Sequence, residues 1–68
     1  MNPNEETDVV YADTLDYINR ALYQHSPLAL AASLITLGLA MYRTTLSDED
    51  YEKMCSAIYD TRFKIKKL

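Results

Sequence analysis

Sixty-eight residues with 49% apolar content, one glycine and two prolines describe a single small folded domain of few, long elements, not a disordered chain. A formal charge of −3 argues against general nucleic-acid binding, which needs a basic surface. Cys55 is the only cysteine and His25 the only histidine, which excludes an internal disulfide and leaves a structural metal site or bound cofactor without support.

In chain order, residues 1–7 are expected to be irregular, with Asn4 or Thr7 as the N-cap of a first helix over about residues 8–24. Tyr11, Leu15, Ile18 and Leu22 recur at steps of four, three and four, which is one face of a 3.6-residue helix. Val10, Tyr17 and Ala21 widen that face. Asp16 and Arg20 stand at the spacing of an i,i+4 ion pair.

The second helix is predicted over about residues 27–44. Ser26 supplies an N-cap and Pro27 takes the first helical position, where its missing N–H costs nothing. From Ser26 to Tyr42 there are seventeen residues without a charge. Leu30, Leu34, Leu37 and Met41 form a large apolar stripe beside a small one of Ala29, Ser33, Thr36 and Ala40. A helix that is apolar all round belongs inside a protein or inside a membrane. Gly38 in its middle costs about 1 kcal/mol relative to alanine, which close approach of another backbone would offset.

The third helix is predicted over about residues 48–66. Ser47 and Asp50 approximate a capping box, and Leu46 and Tyr51 occupy the two positions of a hydrophobic staple. Acids fill its first turn and lysines its last, both matching the helix dipole. Tyr51, Met54, Ile58 and Ile65, flanked by Cys55 and Ala57, form the stripe expected to be buried. Glu49–Lys53 and Asp60–Lys64 have ion-pair spacing.

Short turns near His25-Ser26 and Thr45-Ser47 make successive helices antiparallel neighbours. The fold class expected is therefore all-α: a three-helix up-down-up unit with the apolar second helix central. At this length one core contributes only ~3–5 kcal/mol, and with disulfide and metal set aside oligomerisation is the remaining supplement. A homodimeric helical bundle follows. The acids Glu5, Glu6, Asp8, Asp13 and Asp16 lie early, whereas Arg62, Lys64, Lys66 and Lys67 crowd the last seven residues. An antiparallel dimer would set each basic end beside a partner's acidic end.

The candidate contact surface is carried by Tyr17, Leu34, Met41, Tyr42, Tyr51 and Tyr59, because tyrosine offers an apolar body and a polar tip to an interface. Arg62, Lys64, Lys66 and Lys67, interleaved with Phe63 and Ile65, form a second candidate surface for anionic contacts, with a solvated helix end as the plainer reading. His25 reads as a turn residue, Cys55 as a small core residue, and Asp48-Glu49-Asp50 as helix capping, not a cation loop. No nucleophile, base or metal set stands at a diagnostic spacing, so an enzyme is not expected.

The run Tyr42-Arg43-Thr44-Thr45-Leu46-Ser47-Asp48-Glu49-Asp50-Tyr51-Glu52-Lys53-Met54, with Ile58 and Arg62 beyond it, resembles small proteins encoded by tailed bacteriophages. In those proteins too an apolar helix ends in Tyr-x-Thr-x-Leu and the next begins with Asp-Tyr-x-x-Met. The resemblance covers about a third of the chain and brings no activity or site residue with it. It implies an accessory protein made in a host cytoplasm and acting by contact. A lone thiol and the absence of a signal-peptide pattern over Met1 to Glu6 point to the same compartment.

Two readings of function emerge. The first is a non-enzymatic helical interaction protein that self-associates and binds or modulates a protein partner. The alternative is a small membrane-associated protein with helix 26–44 inserted and the basic tail at the lipid surface.

Overall fold

The computed structural model describes residues 3–68. Among the described residues there are three α-helices, α1 (Pro3–Ala21), α2 (Pro27–Thr45) and α3 (Asp48–Asp60), then a 3-10 turn over Arg62–Lys64, and no strand.

Helix α1 begins at Pro3 and not near residue 8, so the expected irregular segment is helical from Pro3 onward. Residues 1 and 2 lie outside the described residues. Proline is well placed at a helix start, Glu5 and Glu6 meet the positive end of the dipole, and no breaker separates them from Asp8. Asn4 and Thr7 therefore sit inside the helix and neither is its N-cap. At the other end α1 stops at Ala21, short of residue 24. There Tyr23 N–H bonds the Arg20 carbonyl at 3.2 Å and Gln24 N–H bonds that of Ala21 at 3.0 Å. This tightening to i−3 partners closes the helix ahead of Ser26, whose conformation Pro27 restricts.

Helix α2 has the predicted start. The Ala29 N–H donates to Ser26 Oγ at 3.2 Å. Its last turn is closed by threonine hydroxyls: Thr44 Oγ1 donates to the Ala40 carbonyl at 2.8 Å and Thr45 Oγ1 to that of Met41 at 2.9 Å. Helix α3 opens on Ser47, extended at φ −63° and ψ 162°, whose Oγ accepts from Asp50 N–H at 3.1 Å.

Helix α3 ends at Asp60, not at residue 66. Continuing it would set Arg62 and Lys66 four residues apart as like charges. Instead Thr61 Oγ1 donates to the Ala57 carbonyl at 2.9 Å, and the backbone turns through the 3-10 segment to an extended Ile65. Asp60 and Lys64 consequently no longer share an α-helical face.

The chain divides into two units, Met1–Ile35 and Thr36–Leu68, with the boundary inside α2. In the first, Leu15, Ile18 and Ala21 of α1 and Leu30 and Leu34 of α2 are half-buried. In the second the half-buried residues are Gly38, Leu39, Leu46, Tyr51, Met54 and Cys55. No residue whose side chain is described is fully buried. The stripe expected to be buried on α3 is thus covered only in part: Tyr51 and Met54 are half-covered, whereas Ile58, Ala57 and Ile65 face solvent. Ile65 departs because the helix stops before reaching it.

Candidate interaction surface

Helix α2 presents exposed apolar side chains along its length. Leu28, Leu37 and Met41 are 85%, 62% and 70% exposed, and Ile35 is exposed as well. Of the predicted large stripe, Leu30 and Leu34 are half-buried while Leu37 and Met41 stand free. Leu37, Ala40, Met41, Thr44 and Thr45 line an open groove of about 430 Å³. The two threonine hydroxyls are spent on backbone carbonyls, which leaves mostly carbon in that groove. Gly38 offers space: where a side chain would project, no atom lies within 4 Å. The close backbone approach expected there is not made among the described residues of its own unit.

A polar cluster organises the turn between α2 and α3. The Arg43 guanidinium lies over the Tyr51 ring, 5.1 Å from its centroid, and Arg43 Nη1 is 3.7 Å from Asp48 Oδ1. Tyr51 is held above its ordinary value of 10.0, chiefly by a side-chain hydrogen bond with Cys55 and then by partial burial, with Arg43 pulling the other way. Cys55 is a free, half-covered thiol. Sequence reasoning assigned Arg43 no role. The signal available was a base ending one helix five residues before an acid opening the next, across a two-residue turn.

The end of α3 has its own clamp. Arg62 lies 3.9 Å from the centroid of Tyr59 and 4.2 Å from that of Phe63, and its Nη1 donates to the Tyr59 carbonyl at 2.8 Å. This guanidinium therefore serves the helix end, donating to one of its last carbonyls. Lys64, Lys66 and Lys67 are exposed beyond it.

The predicted contact residues fall in both units. Tyr17, exposed, and Leu34, half-buried, belong to the first; Met41, Tyr42 and Tyr59, exposed, and Tyr51, half-buried, belong to the second. Tyr17 lines a shallow concavity of about 260 Å³ with Arg20, Ala21, Gln24 and His25. The expected pairs Asp16–Arg20 and Glu49–Lys53 form at 3.2 Å and 3.3 Å, both on the solvent side. Among the described residues no group of three or more His, Cys, Asp or Glu side chains is placed to hold a metal ion.

No family model matches the chain, and neither a curated protein nor a solved structure matches it.

Proposed function

We propose that this chain is a non-enzymatic, self-associating interaction module. Two copies, each an up-down-up unit, complete one helical bundle that covers α2 of both, and the assembly binds or modulates a protein partner. On the likeness of residues 42–62 to phage-encoded helical proteins, the proposed setting is a host cytoplasm.

The observation that carries this reading is that Leu28, Ile35, Leu37 and Met41 of the apolar helix α2 stay exposed, with no fully buried residue among the described side chains. Tyr17, Tyr42 and Tyr59 are each exposed, and tyrosine is a residue type that suits an interface.

The test is the native mass in detergent-free buffer, by light scattering behind a sizing column over a dilution series. A dimer that dissociates only at high dilution is the expected result. A well-folded monomer at every concentration would overturn the reading.

A second reading is favoured by one feature. Helix α2, Pro27–Thr45, is long and apolar enough to cross a membrane. Nineteen residues span about 28 Å as a helix, close to the thickness of a bilayer's hydrocarbon core. Ser33, Thr36 and Gly38 dilute its apolar character, and the amphipathic α1 and α3 each need an apolar partner that a lipid-embedded α2 would not supply. A chain recovered only in the detergent-soluble membrane fraction would favour insertion over the bundle.

A further inference from the structure

A groove on α1 and the basic segment 62–68 have matching chemistry. Glu6, Thr7, Val10, Tyr11 and Thr14 line an open groove of about 580 Å³ along one face of α1. Val10 and Tyr11 expose their side chains into solvent, and Glu6 is part of the lining. Asp13, seven residues after Glu6, falls two turns along the same edge of the helix. An apolar floor with a carboxylate rim asks for an occupant that alternates apolar and cationic groups.

Such a segment follows α3. Phe63 and Leu68 are 83% and 86% exposed, Ile65 is also exposed, and Lys64, Lys66 and Lys67 alternate with them. Its backbone has left the helix, with Ile65 extended at φ −75° and ψ 125°. Arg62 is already turned back onto Tyr59 and Phe63, so the lysines are the cations this segment presents outward.

We propose that the segment 63–68 of one copy docks in the α1 groove of a second copy, with Phe63 and Ile65 against Val10 and Tyr11 and with Lys64 and Lys66 beside Glu6 and Asp13. This rests on the self-association reading and names the surfaces that orient it. A second copy is favoured over a nucleic acid or an anionic membrane because the acidic complement is present in this chain. Either of those surfaces would also have to attract a protein whose net charge is −3. In an antiparallel pair the exchange occurs twice, which is how a two-fold interface repeats its contacts.

The experiment is sedimentation equilibrium of the full chain, across salt concentrations, on five proteins: wild type, Lys64→Glu/Lys66→Glu, Glu6→Lys/Asp13→Lys, the combination of both pairs, and Ile65→Ser. Each reversed pair alone should weaken the dimer at least about tenfold, since the two exposed ion pairs of each of the two symmetry-related contacts turn from attraction to repulsion. The combined swap should recover most of that loss. Ile65→Ser, at an exposed position, should weaken the dimer with the salt dependence unchanged. Far-UV circular dichroism checks that all variants keep wild-type helicity.

If the wild type is a monomer throughout, self-association itself fails. If the wild type dimerises and both reversed pairs dimerise equally well, the bundle reading stands and this docking is overturned. It is equally overturned if the lysine reversals leave the dimer intact but abolish binding to phosphatidylserine vesicles or duplex DNA.

Discussion

Arg43, in the last turn of α2, stands over the ring of Tyr51, in the first turn of α3, 5.1 Å from its centroid. The same guanidinium reaches Asp48, so one side chain ties the two helices across their turn. Asp48 is almost fully solvated, which makes the ring contact the stronger part. Arg43→Ala should lower stability by about 0.5–1 kcal/mol, the range of a solvent-accessible cation–π contact. Arg43→Lys should recover only part of it, because an ammonium lacks the flat face that stacks on the ring. Urea denaturation of the three proteins followed by far-UV circular dichroism checks both.

Tyr51 should titrate later than 10.0, since its hydrogen bond with Cys55 and its partial burial favour the neutral phenol. Removing the first cause through Cys55→Ala should bring the value down toward 10.0. The sign for stability follows from the raised folded value: Tyr51 contributes fully below pH 10.0, and its contribution is lost as pH rises through the folded value. A titration of ¹³Cζ-labelled tyrosine, with and without the thiol, measures the displacement.

Gly38 has no neighbour within 4 Å of the place a side chain would take. At dilutions where the chain is monomeric, Gly38→Ala should raise stability by about 0.5–1 kcal/mol through helix propensity alone. Thermal melts at low concentration test this. A loss of association in the same variant at higher concentration would locate the approach of a second copy at this position.

Met41 and Leu34 lie on one stripe of α2 but differ in cover, Met41 being 70% exposed and Leu34 half-buried. Met41→Glu should leave monomer helicity near wild type while weakening the dimer at least about tenfold, because an interface would have to bury an unpaired carboxylate. Leu34→Asp should reduce helicity and abolish the cooperative melt. Light scattering and circular dichroism on the pair separate a residue that serves association from one that also serves the fold of its own unit.

The three helices and their internal punctuation were legible in the residues. Ser26-Pro27 and Ser47 announce their helices because a cap is a bond between residues three apart, and both bonds form as read. The pairs Asp16–Arg20 and Glu49–Lys53 were legible for the same reason of short range. The outer ends were misread. Acids near a helix start are compatible with a cap on either side of them, which hid the beginning of α1 at Pro3. A basic run looks like a good helix end until its like charges and the Arg62 clamp on Tyr59 are weighed together, which hid the end of α3 at Asp60.

Which faces are covered was a different matter. Periodicity identified the apolar stripes of α2 and α3 and with them Leu34 and Met41, while the chemistry of tyrosine singled out Tyr42 and Tyr51. It could not say that Leu34 would be half-covered while Met41 and Leu37 remained in solvent, nor that Arg43 would bridge to both Asp48 and Tyr51. Hydrogen bonds and ion pairs within a helix depend on neighbours a turn away, so residue order contains them. Cover depends on which distant surface arrives, and only three-dimensional placement expresses that.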